Sequence, residues 1–370
     1  MKWPTVALGE VVRFQAGVGF PPALQGRSAG DVPFAKVGDI SRHGRMGWKF
    51  IETADNYITD SDLATLRAKP VQTGSTLFAK IGEAIRHNHR VIASRPLLID
   101  NNAIAATPTS QIDPTYLYRF LQGIDLYPYA SSTTVPSLRK TVLERIPLQL
   151  PPIVEQRRIA AILDHADALR ATKRHVLRLQ NDLANSAFRS MFGKEGTARA
   201  GGRQSTIGDS LRFKSGNFLP SAKQVPGPYA VYGGNGVTGY HNEFMFEEPK
   251  VVVGRVGAYC GVTHLTSPRS WVTDNALWVS EVSDDIQLAY LVAALRSADL
   301  NQYASQSGQP LISSQRLADV PLFIPSKEAQ SAFDRQTSAI NAQTRRAQLS
   351  LSQLDELFTS LQARAFRAEL

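Results

Sequence analysis

The side chains with the most chemical capacity stand in short polar stretches, not in a catalytic pattern. One stretch runs Lys36-Val37-Gly38-Asp39-Ile40-Ser41-Arg42-His43-Gly44-Arg45, and another runs Arg86-His87-Asn88-His89-Arg90. Later come Tyr232-Gly233-Gly234-Asn235-Gly236-Val237-Thr238-Gly239-Tyr240-His241 and an isolated Arg255. Arg and Lys can pair with guanine edges, and Asn or Gln with adenine edges. Glycine amides and Ser/Thr hydroxyls can hold phosphates. The candidates for such contacts are Lys36, Ser41, Arg42, His43, Arg45, Lys80, Arg86, His87, Asn88, His89 and Arg90, and then Tyr232, Asn235, Thr238, Tyr240, His241 and Arg255. Two further polar stretches, Ser131-Ser132-Thr133-Thr134 and Ser305-Gln306-Ser307-Gly308-Gln309, add Ser132, Thr133, Ser307 and Gln309 as backbone contacts. All are expected on loops. Any one alone reads equally well as a surface turn, and Arg86–Arg90 has the richest chemistry.

Catalytic patterns are missing from the sequence. A methyl-transferring enzyme acting on DNA needs a glycine-rich cofactor loop and an Asp/Asn-Pro-Pro-aromatic motif. The nearest text, Leu150-Pro151-Pro152-Ile153, lacks the polar first residue and the aromatic last one, and reads as helix punctuation. Gly193-Lys194-Glu195 lacks the rest of a nucleotide-binding loop. The 7 histidines have no metal-ligand spacing, and His87 and His89 sit among cations. Glu83 has no counterpart in the second half of the chain, so it makes a poor nuclease acid. No catalytic residue, metal or cofactor is therefore expected in this chain. The single cysteine, Cys260, forbids an internal disulfide and fits a reducing cytoplasm. The first residues lack a signal-peptide core and no apolar run could span a bilayer, so a cytoplasmic protein is expected. Net charge is +9, yet residues 1–150 are net +5 and residues 200–324 are net −1. Bulk charge does not establish a nucleic-acid partner.

What must position these residues is a duplicated chain. Pro136-Ser137-Leu138, Leu143, Ile146-Pro147-Leu148-Gln149-Leu150-Pro151 and Gln156 recur 174 residues later as Pro310-Leu311-Ile312, Leu317, Val320-Pro321-Leu322-Phe323-Ile324-Pro325 and Gln330. Tyr116-Leu117 and Leu121 match Tyr290-Leu291 and Leu295 in the same register. Lys80-Ile81-Gly82 resembles Arg255-Val256-Gly257, one residue shifted. Leu8-Gly9-Glu10, Phe14 and Gly17 match Ile207-Gly208-Asp209, Phe213 and Gly216, so the second copy has the shorter front section.

Each copy ends in a helical tail. Residues 153–192 contain neither proline nor glycine and carry apolar residues at Ile159, Ile162, Ala166, Leu169, Val176, Leu183 and Ala187. The second tail alternates steps of four and three through Phe333, Thr337, Ile340, Thr344, Ala347, Leu351, Leu354, Phe358, Leu361 and Ala365, which is a coiled-coil seam. Each rod would be ~60 Å long. Its stripe would be buried against the other tail, the bland alternative being that each helix packs on its own module. The modules read as mixed α and β. Strands are expected at 34–37, 76–79, 91–93, 251–253, 259–262 and 276–279, and helices at 114–122 and 287–295.

The plan resembles a known family. A module closing on Ile146-Pro147-Leu148-Gln149-Leu150-Pro151-Pro152, then Glu155-Gln156-Arg157-Arg158-Ile159 and a long helix, with the whole repeated, is similar to type I restriction-modification specificity subunits. Tyr232-Gly233-Gly234-Asn235-Gly236 is also typical of their recognition domains. The second copy departs from the pattern, with Pro325-Ser326 and Ala329-Gln330 replacing Pro-Pro and Glu-Gln.

The resemblance implies an α+β fold with internal pseudo-twofold duplication. Residues 1–150 would form target-recognition domain 1 and 151–193 spacer helix 1. Residues 200–324 would form domain 2 and 325–370 spacer helix 2. The helices would pair antiparallel through Ile159, Ile162, Ala166, Leu169, Val176, Leu183, Ile340, Ala347, Leu351, Leu354, Phe358 and Leu361, fixing the spacer of a split DNA target. Implied partners are double-stranded DNA, two methyltransferase subunits that hold S-adenosylmethionine and flip the target adenine, and a translocase-nuclease subunit. The competing classes are a coiled-coil scaffold without specific DNA recognition and a self-contained DNA-modifying enzyme.

Overall fold

The computed structural model describes residues 3–132, 134–193, 201–305, 308–367 and 369–370. It divides into two units, one made of residues 1–174 with 349–370 and the other of residues 175–348.

The first unit opens with β1 (Thr5–Ala7), α1 (Leu8–Val11), β2 (Val12–Ala16), β3 (Val32–Ala35), α2 (Val37–Met46), β4 (Phe50–Ile51), β5 (Tyr57–Ile58) and α3 (Asp60–Leu66). It continues with β6 (Thr76–Ala79), β7 (Arg90–Ala93), β8 (Leu98–Ile99), β9 (Ala103–Pro108), α4 (Pro114–Gly123), α5 (Lys140–Leu143), β10 (Pro147–Gln149) and the start of α6 (Ile153–Phe192). Its sheets are ordered β2-β9-β6-β7-β4, β5-β3-β8 and β1-β10. The strands are near-continuous apolar runs because both sheet faces are covered. β6, β7 and the first four residues of β9 are wholly buried.

The second unit repeats the plan with β11 (Gly202–Thr206), α7 (Ile207–Ser210), β12 (Leu211–Ser215), β13 (Tyr229–Gly233), β14 (Gly236–His241), β15 (Val251–Gly254), β16 (Thr263–Leu265), β17 (Trp271–Val272) and β18 (Ala276–Val282). Then come α8 (Leu288–Ser297), α9 (Ser314–Ala318), β19 (Pro321–Pro325) and the start of α10 (Lys327–Ala365). Its sheets are ordered β12-β18-β15-β16, β14-β13-β17 and β11-β19. The strand orders of the two units correspond one to one, apart from the extra β4. That strand belongs with α2 and α3 to the longer front section of copy one.

The 174-residue register has a physical basis. The Gln156 amide accepts from Asp113 N–H at 2.8 Å and donates to the carbonyls of Gln111 and Pro151. Gln330 makes the same three bonds to Gln287 N–H and to the carbonyls of Asp285 and Pro325. Both glutamines are fully buried and tie the first turn of a long helix to the start of α4 or α8. The Tyr116 hydroxyl donates to the Gln149 carbonyl, as Tyr290 does to Phe323. Burial holds both phenols above their ordinary pKa, so they stay neutral donors. We expect Gln156→Ala or Gln330→Ala to destabilise its own unit by about 2–4 kcal/mol, because each change orphans one buried N–H and two carbonyls. Denaturant midpoints at unchanged slope would measure it, and losses below about 1 kcal/mol would contradict the clamp.

Within the first unit the beginning of α6 meets the end of α10. Arg170 pairs with Asp355 at 2.6 Å and lies 4.2 Å over the Phe358 ring. Within the second unit the end of α6 meets the beginning of α10, where Phe188 and Phe192 pack on Phe333. In each unit the two helices therefore run antiparallel. Ile340, Ala347, Leu351, Leu354, Phe358 and Leu361 all lie on the shielded face of α10. The α6 stripe differs from its expected line. Ile159, Leu163, Ala166 and Arg170 face inward, followed by the half-buried Leu177 and Ala184. Ile162 and Val176 are half-buried at its edge, while Leu169 is 44% and Leu183 56% exposed. Apolar counting passed over Arg170. Its guanidinium takes the seam position because an aromatic face and a carboxylate both receive it.

Two local expectations also change. Lys36–Arg45 is not a loop, because residues from Val37 onward form α2. The Asp39 carboxylate accepts the Lys36 N–H at 2.8 Å and nucleates the helix despite Gly38 and Gly44. Residues 259–262 do not form a strand, since positive φ at Gly257 and Gly261 turns the chain and delays β16 to Thr263.

Candidate nucleic-acid interface

In the first unit the end of β6 delivers Lys80 to the segment carrying Ser131 and Ser132. The Lys80 carbonyl accepts Leu138 N–H at 2.9 Å, and Gly82 N–H donates to the Pro136 carbonyl at 2.8 Å. Ser131 closes the same turn through Ser137, and Ser132 is exposed beside it. Thr133 lies outside the described residues. Arg86 is exposed and bonds Glu83 at 2.8 Å and the Tyr127 hydroxyl at 2.6 Å, its guanidinium 3.6 Å over the Tyr127 ring. Tyr127 leads directly into the 131–137 turn. Lys80, Arg86 and Ser132, from three separate stretches, are thereby joined through two neighbouring backbone segments.

A second group forms where α2 meets the 86–90 turn. A Cβ on Gly44 would lie 2.7 Å from His89 Cβ, so glycine permits the contact. The rings of His87 and His89 are 5.9 Å apart, and Arg45 is exposed beside them. Burial, then the charges of His87, Arg45 and Arg90, hold the His89 imidazole below its ordinary pKa. Asn88 donates to the Gln122 carbonyl at 3.1 Å.

Several expected contacts are withdrawn in this unit. Arg90 is 3% exposed, bonds Asn88 Oδ1 and the His89 carbonyl, and lies over Phe78. It serves the core, where burial works against its charge. His43 is buried too, with Nδ1 at 2.9 Å from the Asp39 carbonyl and its ring against Trp48. Arg42 is spent on Asp39 at 2.7 Å and Asp55 at 2.6 Å. Lys36 Nζ donates to Gln25 Oε1 above the Phe20 ring, and Ser41 is half-buried.

In the second unit, Tyr232–His241 is the β13–β14 hairpin. The β13 strand is almost wholly buried, and the exposed side chains lie in the turn and in β14. Asn235, Thr238 and Tyr240 are exposed. Tyr232 is buried with its hydroxyl accepting Ser267 N–H at 3.0 Å, and His241 is buried with Nδ1 accepting Val225 N–H at 3.0 Å. Arg255 matches Lys80. Its carbonyl accepts Ile312 N–H, Gly257 N–H donates to Pro310, and Nη1 donates to Ser215 Oγ at 3.1 Å. Among the described residues, Arg255 Nε is buried without a hydrogen-bond partner. Gln309 is exposed in the adjoining segment, and Ser307 lies outside the described residues.

Sequence reasoning missed Arg139 and Lys140, which line an open cleft with Lys80. The available signal was their position one step beyond the repeated Pro136-Ser137-Leu138. It also missed Arg119, which is 2% exposed and joins α4 to α6 through Asp164 at 2.7 Å and Asp167 at 2.9 Å.

Both copies match one family profile, the type I restriction modification DNA specificity domain, over residues 1–178 and 203–351. The chain belongs to that family. A type I restriction enzyme EcoprrI specificity subunit from Escherichia coli is 30% identical over 156 residues, 39% of this chain and 39% of that protein. The match thus spans about two fifths of that curated relative. The fold is shared with the S subunit of a type I restriction-modification system from M. genitalium, at a TM-score of 0.57 and 15% identity over 99% of this chain and 96% of that one. The HsdS subunit from Thermoanaerobacter tengcongensis aligns over 100% and 97% of the two chains, at a TM-score of 0.41 and 18% identity. Among the described residues of this specificity-domain protein, no helix is long and apolar enough to cross a membrane.

Proposed function

We propose that the chain is the specificity subunit of a type I DNA modification complex, in which each unit reads one half of a split target. One observation carries this reading. The same strand order occurs twice, and in both copies a cation at the end of the third sheet strand, Lys80 or Arg255, is bonded through its backbone to a polar segment. A duplicated reader suits a target of two half-sites, with spacing set by the protein's own geometry. The exposed Arg86, His87, Arg45 and Ser132 in one unit, and Asn235, Thr238, Tyr240 and Gln309 in the other, supply donors and acceptors of the kind that read base edges and phosphates.

Catalysis belongs to partners in this account. Two methyltransferase subunits, carrying S-adenosylmethionine, would dock on the chain and flip an adenine, and a translocase-nuclease subunit would join for restriction. The chain supplies address without turnover and acts in the cytoplasm. The test measures labelled methyl transfer from S-adenosylmethionine to genomic DNA. The purified chain alone is expected to transfer none, and addition of its genomically neighbouring methyltransferase to start transfer. Transfer by the chain alone, or identical modification by the methyltransferase without it, contradicts the reading.

A further inference from the structure

The cleft beside Lys80 has a volume of about 460 Å³ in the first unit. Its lining includes Ala16 and Ile104, a cross-strand pair of β2 and β9, together with Lys80, Arg139, Lys140 and Thr141. Among the described residues, neither the Lys80 ammonium nor the Arg139 guanidinium has an ion-pair or side-chain hydrogen-bond partner. Lys140 has only a loose exposed contact, 3.6 Å from Glu144. Three cationic residues thus line one cleft with one weakly engaged carboxylate. A cleft lined by one sign of charge raises the local concentration of anions.

The other copy shows what this site looks like when the charge is removed. The register places Ser215 where Ala16 stands, and Ser215 Oγ accepts a bond from Arg255, the counterpart of Lys80. Ser313 and Ser314 replace Arg139 and Lys140, and Gln315 replaces Thr141. At these positions the cation count falls from three to one, that one bonded to Ser215, while Arg316 stands one step on where copy one has Val142. The first unit's cleft is therefore an elaboration of the shared fold, not a consequence of it.

We propose that Lys80, Arg139 and Lys140 form a backbone grip that binds phosphodiester groups of DNA, an inference resting on the DNA-reading function above. The lining is aliphatic apart from its polar groups and offers no aromatic face for stacking a base. The cleft is open and adjoins the segment bearing Ser132, so it suits a passing strand more than an enclosed nucleotide. Phosphate contacts position a duplex without reading its sequence.

The test uses the full chain in complex with its methyltransferase, on a duplex carrying the motif that complex methylates and on an unrelated duplex. Each phosphate contact adds roughly 0.9 to the slope of log affinity against log salt. Lys80→Gln/Arg139→Gln is expected to lower that slope by about 2 and to weaken binding by the same factor on both duplexes. The charge-conserving Lys80→Arg/Arg139→Lys is expected to keep the slope, which separates lost charge from lost fold. An unchanged slope in the Gln variant, or weakening confined to the motif duplex, overturns the grip alone. An unaltered complex that binds no duplex overturns the grip together with the DNA-reading function.

Discussion

Exchanging residues 3–150 for the corresponding module of another family member is expected to change one half of the methylated motif and leave the other half intact. The reason lies in how the units are built. The β2-β9-β6-β7-β4 and β5-β3-β8 sheets, with the exposed Arg86 and Ser132, sit wholly in the first unit, and no strand of either sheet comes from the second. The exchange is cut before α6, where Pro151 and Pro152 precede the helix. The graft must keep the contacts to α6, the Asp113–Gln156 bond and the Arg119 pairs with Asp164 and Asp167 being the sites where module and helix join. A specific site is typically favoured over non-specific DNA by about 4–10 kcal/mol, and each mismatched base pair costs about 1–3. The old half-site should therefore be abandoned almost completely. Methylation of both old half-sites by the chimera, or loss of both, contradicts independent readers.

The second large effect concerns the aromatic cluster of the second unit. Phe192 is fully buried, with its ring 5.2 Å from those of Phe188 and Tyr290 and 5.6 Å from Phe333. It joins the end of α6, the start of α10 and α8 at one point. Phe192→Ala should cost about 3–5 kcal/mol through lost burial and an unfilled cavity. For a unit of this size that is a fall in Tm on the order of 10 °C. Amide exchange should rise in β15 and α8, which share this core. The first unit offers the comparison. Phe366, just beyond the end of α10, packs on Tyr116 and Phe120 at 5.3 Å, so Phe366→Ala should raise exchange in α4 instead. A Phe192→Ala protein within 1 kcal/mol of the parent would contradict the cluster's role.

The sequence disclosed the architecture better than the surface. Duplication was legible because Gln156 and Gln330, or Tyr116 and Tyr290, do identical backbone work, the glutamines by accepting and donating at once. The α10 seam was legible because its shielded face is unbroken. The α6 seam was misread at Arg170, where partners on another helix make a charge acceptable inside. The candidate site was legible in type but not in orientation. Arg90 and His43 look like DNA ligands in a row of letters, yet their fate depends on Phe78, Trp48 and the Asp39 carbonyl, which only folding brings near. Asn235 and His241 share one hairpin, but Asn235 stands exposed at its turn while His241 is buried at the far end of β14. Arg139 and Lys140 gained meaning only when Lys80 arrived beside them from 59 residues away.

The central claim is a two-part DNA address held by one chain. The most direct measurement is a genome-wide map of methylated adenines in cells that express the chain with its neighbouring methyltransferase, against cells lacking the chain. The account predicts one bipartite motif with a fixed unspecified spacer, present only with the chain. A continuous motif, or methylation unchanged when the chain is absent, would contradict it.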